Sequence, residues 1–242
     1  MNAIEINGLT KKYGKITAVN GVSLSVKEGE LFALLGVNGA GKSTLIRCLT
    51  CISSPDSGDA TVGGYSITRE RQLVKSRIAV SPQSTAVAPN LTVSENLTLM
   101  ARLSGFSKDD AGVRTGELLA NFGLETVARQ RAGTLSGGWQ RRLSLAMALI
   151  SEPSILFLDE PTLGLDVLAR AELWDIIRSL KGRVTVVLTT HYMEEAEMLA
   201  DRVGIMTSGN LIALGTPREL IKESGASRFE DAFVRIVKEA GK

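Results

Sequence analysis

The chain has 242 residues, 44% of them hydrophobic and 22% charged, with 28 basic and 26 acidic side chains. That length gives one domain, or at most two, with a sizeable core, and the average composition excludes wholesale disorder. A net charge of +2 is too balanced for a protein that grips nucleic acid by broad electrostatics, so no nucleic-acid partner is expected. No run approaches the ~18 apolar residues of a membrane span. The opening MNAIEIN lacks a signal-peptide pattern, so a soluble, cytosolic chain is the expectation.

Along the chain, Ile4 and Ile6, then Val22, Leu24 and Val26, alternate with polar residues. This predicts half-buried antiparallel strands, interrupted by turns near Gly8, Gly14, Gly21 and Gly29. From Leu31 the pattern changes. The runs 31–35, 155–158 and 184–188 are short and largely apolar, as strands buried on both faces should be. Helical patterns separate them, which predicts an α/β unit with a parallel sheet. Between 85 and 150 the strand runs disappear, and 91–103, 116–122 and 140–150 carry helical periodicity, predicting an all-helical insertion. A strand pair follows at 203–206 and 211–214 around Ser208-Gly209-Asn210, then a helix from about Glu230. The pair Cys48 and Cys51 is expected inside a helix, as two small core residues rather than a redox or zinc site.

After the strand at 31–35 comes Gly36-Val-Asn38-Gly39-Ala40-Gly41-Lys42-Ser43-Thr44, which fits GxxxxGK[ST]. Glycines let the backbone turn its N–H groups inward as a nest for anionic oxygens, and the following helix adds the positive end of its dipole. Lys42 can reach terminal phosphates, and the Ser43 hydroxyl can ligate Mg²⁺. A chance match in a chain of this composition arises about 2% of the time. The run Ile155-Leu-Phe-Leu-Asp159-Glu160 supplies two carboxylates at a strand end. One can bind Mg²⁺, directly or through water, and the other can act as a general base on an attacking water. Acids also end strands for local reasons, particularly before Pro161, but beside a phosphate loop the chemical reading prevails.

Leu135-Ser136-Gly137-Gly138-Trp139-Gln140-Arg141 opens the last helix of the insertion. Ser136 suits an N-cap, and two bare glycines are more than capping demands. The sequence LSGGWQRR resembles the signature of ABC ATPases, the nucleotide-binding subunits of ABC transporters. Further motifs of that family appear in order. Tyr13 resembles the aromatic that stacks on adenine, and Gln83 the Q-loop glutamine that senses Mg²⁺ and the membrane partner. Gly164-Leu165-Asp166 resembles the D-loop, and His191 the switch histidine that contacts the γ-phosphate. His191 also follows a sheet strand, where α/β sites lie. Trp139 and Val167 depart from the commoner residues at their positions, without removing a catalytic group.

The resemblance implies a P-loop NTPase fold of the α/β class. It would have a RecA-like parallel-sheet core, an N-terminal antiparallel β subdomain and an inserted all-helical subdomain. A single domain over 1–242 is expected, with the core in 1–84 and 151–215, the helical part in 85–150 and a helical tail in 216–242. The resemblance also implies ATP and Mg²⁺, the metal held by Ser43, Gln83 and Asp159, with Glu160, His191 and Gln83 catalytic. With one phosphate loop and one signature per chain, the resemblance implies a head-to-tail, ATP-sandwiched pairing with a second copy, the signature residues Ser136, Gly137 and Gly138 completing the partner's site, and it places Asp166 among the nucleotide-binding residues. A separate transmembrane permease would place the subunit at the cytoplasmic face of the membrane. The stretch 189–197 and the end, Phe229-Glu-Asp-Ala-Phe233, resemble subunits of bacterial drug, antibiotic and sodium exporters. Import and a non-transport ABC ATPase are the alternatives. A binding module without turnover would lack Glu160 or His191, and a signalling GTPase would carry Asn-Lys-x-Asp.

Overall fold

In the computed structural model, which describes residues 1–240, the alternating N-terminal segment folds as two long antiparallel strands. These are β1 (Asn2–Tyr13) and β2 (Ile16–Lys27). Ile4, Ile6, Leu9, Val22, Leu24 and Val26 all turn into the core. After β3 (Leu31–Leu35), which joins the other sheet, β4 (Ser57–Val62) pairs with β1 and β5 (Tyr65–Ser66) with β4. The order of this sheet is β2-β1-β4-β5.

The second sheet has six strands in the order β10-β9-β3-β8-β7-β6. They are β6 (Ile78–Ser81), β7 (Ile155–Asp159), β8 (Thr185–Thr190), β9 (Arg202–Thr207) and β10 (Asn210–Gly215), together with β3. All neighbours run parallel except β10 against β9. β3 and β8 are buried along their whole length, which is why β3 is a continuous apolar run rather than an alternation, and why β8 keeps Val186-Val187-Leu188 unbroken at its centre. The two faces of β3 still part cleanly. Leu31, Ala33 and Leu35 enter the core under the helices, whereas Phe32 and Leu34 enter the core shared with the antiparallel sheet.

The helices are α1 (Lys42–Leu49), α2 (Arg71–Lys75), α3 (Val93–Leu103), α4 (Lys108–Asn121), α5 (Gly137–Ala148), α6 (Val167–Ser179), α7 (Met193–Leu199), α8 (Pro217–Ser224) and α9 (Phe229–Ala240). α3 starts on a reciprocal Thr92–Glu95 capping box. α4 begins eight residues before the expected Gly116. Gly112 and Gly116 mask its first half in the sequence. Ser107 caps it by accepting from the Asp110 amide, and Asp109 and Asp110 lie at the positive end of its dipole. The cysteine expectation also needs correction. Cys48 is in α1, but Cys51 lies beyond the helix at φ 57°, and both are buried free thiols. Burial pushes the Cys48 thiol up to about 11.

Candidate active site

The sheet order sets the site. Residues 36–41 leave the carboxyl end of β3, Glu160 that of β7 and His191 that of β8, while Gln83 lies two residues past β6. All four strand ends open on the same edge of one parallel sheet, where ligands of open α/β folds are bound. A cleft of about 480 Å³ there is lined by residues 38–44 with Ala18, Gln83, Glu160, Leu163 and His191.

Two glycines of the loop are dictated by space. A Cβ on Gly36 would lie 2.4 Å from the Met206 carbonyl oxygen, and one on Gly41, at φ 101°, would lie 2.2 Å from that of Ala18. Neither neighbour can yield, because both belong to strand backbone. The turn between β9 and β10 braces the loop further. The Gly209 amide donates to the Ala40 carbonyl at 3.0 Å, and the Asn20 amide donates to the Gly209 carbonyl at 2.9 Å. Lys42 opens α1 and is buried; its Nζ donates to the Gly36 carbonyl at 2.6 Å and lies 3.7 Å from Glu160 Oε1. Burial lowers its pKa, and the charges of Glu160 and Asp159 oppose that shift.

The carboxylates are held differently. Asp159 Oδ1 accepts from Ser43 Oγ at 3.1 Å and from Thr189 Oγ1 at 2.5 Å. A carboxylate beside a hydroxyl is a hard-oxygen donor set that suits Mg²⁺, with phosphate oxygens and water as the remaining ligands. The fit therefore holds for Ser43 and Asp159, and Gln83 lines the same cleft. Glu160 is buried at φ 51°, a left-handed conformation that costs a non-glycine residue energy. Its amide donates to the Thr189 carbonyl at 3.1 Å, and its Oε2 meets His191 Nδ1 at 2.5 Å. Thr189 thus orients both carboxylates. Nothing in the sequence marks Thr189 for this task, because its hydroxyl's partner Asp159 is thirty residues away.

Other expected site residues lie elsewhere in the chain. Tyr13 is 47% exposed at the end of β1, with Lys11 Nζ 5.4 Å from its ring centre, and does not line the cleft. Ser136 is the N-cap residue of α5, but its hydroxyl makes no capping bond. Gly137 and Gly138 face Leu165 and Ala169 rather than the phosphate loop of the same chain. Asp166 is exposed and caps α6, accepting from the amides of Leu168 and Ala169 at 3.0 and 2.9 Å. Val167 is the first residue of that helix and fully compatible with it. Trp139 packs on the core under the Arg142 guanidinium, 4.8 Å from its ring.

Beneath the site, Glu195 is wholly buried. Its Oε1 accepts from Thr162 Oγ1 at 2.9 Å and Trp174 Nε1 at 3.1 Å, while Oε2 has no partner. Burial raises its pKa, and the hydrogen bonds resist. A raised acid binds its proton more tightly folded than unfolded, so stability falls as pH rises above the unfolded value of about 4.3. Glu195→Gln keeps the acceptor and removes the ionisation. Its melting temperature relative to wild type should therefore be higher at pH 8 than at pH 5, by about 2–4 °C per kcal/mol of relief. An offset that is constant or shrinks with pH would contradict this account.

The fold and the cleft define a P-loop α/β nucleotide hydrolase. The family model described as "ABC transporter" matches residues 19–163. The daunorubicin resistance ATP-binding protein DrrA3 of Streptomyces coeruleorubidus is 44% identical over 240 residues, 99% of this chain and 75% of that protein. The Nod factor export ATP-binding protein I of Paraburkholderia xenovorans is 44% identical over 220 residues, 90% of this chain and 72% of that protein. A solved ATP-binding cassette, described as a dimeric post-hydrolysis state bound to ADP and Pi, superposes with a TM-score of 0.78. It is 27% identical and covers 88% of this chain and 98% of that one. The chain belongs to the ABC transporter family, as an ATP-binding, ATP-hydrolysing subunit in the branch of its drug-resistance and export relatives. Among the described residues, no helix is long and apolar enough to cross a membrane.

Proposed function

We propose that this subunit powers export through a separate membrane permease, working as a head-to-tail pair of identical chains at the cytoplasmic face of the membrane. Export follows the printed roles of the relatives. The cargo, a drug-like, antibiotic, lipid or ion substrate, is selected by the permease and not by this chain.

In the mechanism, the loop amides of 38–44 and Lys42 Nζ bind the β- and γ-phosphates. Ser43, Asp159 and Gln83 would hold Mg²⁺, which neutralises phosphate charge when bound. Glu160 takes a proton from the attacking water as its oxygen bonds to the γ-phosphorus and the bond to the ADP oxygen breaks. His191 fixes that carboxylate through Nδ1 and reaches the γ-phosphate. Tyr13 stacks on adenine. Ser136, Gly137, Gly138 and Asp166 complete the nucleotide site of the partner subunit.

The observation that carries the pairing is the separation within one chain: the signature residues do not line the cleft of their own phosphate loop. Neither half is sufficient alone, and a two-fold arrangement joins each to the other's complement. Mixing Ser136→Arg with Lys42→Ala subunits tests it. Both lesions then share one composite site and leave the second intact, so phosphate release should rise above that of either mutant alone. A mixture no more active than its components, with mixed dimers verified by differential tagging, counts against the geometry.

A further inference from the structure

Arg141 has no place in the mechanism so far, yet it is among the most heavily committed side chains in the molecule. It lies in the second turn of α5 and is 4% exposed. Its Nε donates to the Pro161 carbonyl at 2.6 Å. Nη1 donates to the carbonyls of Pro82 and Gln83 at 2.5 and 3.1 Å, and Nη2 to those of Asp159 and Glu160, both at 3.0 Å. A guanidinium has five N–H donors, and here five backbone carbonyls face them.

Those carbonyls lie at or just beyond the carboxyl ends of β6 and β7. Three belong to 159–161, around Glu160 and its left-handed backbone. A residue held in that region persists only where its surroundings over-determine it. Burial works against the Arg141 charge, and the attraction of Glu195 and Asp159 opposes that cost only in part. An apolar residue would fill the space without this penalty. What it would not do is donate to five backbone carbonyls.

We propose that Arg141 is a positioning residue for hydrolysis: its fork fixes the backbone of Glu160, and secondarily that of Gln83, to the helix that begins at the signature. The base of one site is thereby tied to the element that meets the partner's nucleotide, so movement of α5 is transmitted to Glu160 as a rigid displacement. This rests on the assignment of Glu160 as general base.

Arg141→Lys keeps the charge but offers three donors from a shorter arm, too few for five carbonyls. Its kcat for ATP should fall about 10- to 100-fold while the Kd for ATP, read with a fluorescent analogue, stays within about threefold. The deciding measurement is a double-mutant cycle by single-turnover hydrolysis. Where Glu160→Gln has already removed the base, Arg141→Lys should reduce the residual rate at least fivefold less than it does in wild type. An equal reduction in both backgrounds would mean a general structural role and overturn the proposal, as would a wild-type kcat for Arg141→Lys. If Arg141→Lys does not fold, Arg141→Gln, with two amide donors, takes its place under the same criteria. Should Glu160→Gln itself hydrolyse ATP normally, the base assignment fails first. If only the Arg141 variants behave as wild type, the positioning role alone fails.

Discussion

Glu160→Gln is expected to lower steady-state phosphate release by about 10²–10⁴-fold while leaving ATP bound. General-base catalysis contributes that factor, about 3–5 kcal/mol of barrier. The amide keeps the size of the side chain and can still bond His191 Nδ1, now 2.5 Å from Oε2, but it cannot accept a proton near neutral pH. The backbone at φ 51° is no harder for glutamine than for glutamate. Lys42, Ser43 and Asp159 remain in place for the phosphates. Removing a negative charge from beside the γ-phosphate should tighten ATP, because like charges at close range repel. With ATP in the subunit interface and no longer consumed, the pair should accumulate: gel filtration should show dimer with ATP and mostly monomer without it. A wild-type rate would remove Glu160 as the base. An inactive variant that stays monomeric in saturating ATP would instead remove the ATP-sandwiched pair for the isolated subunit.

Lys42→Ala should fail one step earlier, at binding. The ammonium is the one buried cation lining the cleft among the described residues, and charge-assisted hydrogen bonds contribute about 1.5–3 kcal/mol. ATP affinity should fall about 10- to 150-fold. Within the chain the substitution takes a donor from the Gly36 carbonyl and a neighbouring positive charge from Glu160. Neither loss breaks a strand of the sheet, so circular dichroism should be unchanged. Unaltered affinity in a natively folded variant would sink the assignment of this lysine to the phosphates. The two substitutions therefore separate: one protein binds and does not turn over, the other does not hold its substrate.

The parts legible in the sequence were those written locally. The continuous apolar run of β3 and the glycines after it announced a buried strand feeding a phosphate loop, and the structure gives Gly36 and Gly41 a spatial reason in Met206 and Ala18. The alternation of Ile4 and Ile6 likewise reported a one-sided strand. What stayed hidden depends on partners distant in the chain. Thr189 reads as a strand residue until Asp159 is beside it, and Arg141 as one more helix cation until residues 82–83 and 159–161 close around it. Glu195 sits in an acidic stretch that suggests a solvated face, yet Thr162 and Trp174 enclose it. The first half of α4 was missed for a different reason: two glycines obscure the period, and the helix is fixed by its cap and by packing at Ala111 and Leu118.

The position of β3 has a consequence for synthesis on the ribosome. In its sheet, β3 pairs only with β8 and β9, so Leu31–Leu35 has no ladder partner until about 150 further residues have been made. At ~5–20 residues per second that interval is about 8–30 s, during which an apolar segment with two open edges is exposed. The nascent chain should be a chaperone client throughout that window. Arrested chains ending before β8 should be degraded by brief protease treatment, and those extending past β10, with enough extra length to clear the exit tunnel, should resist it.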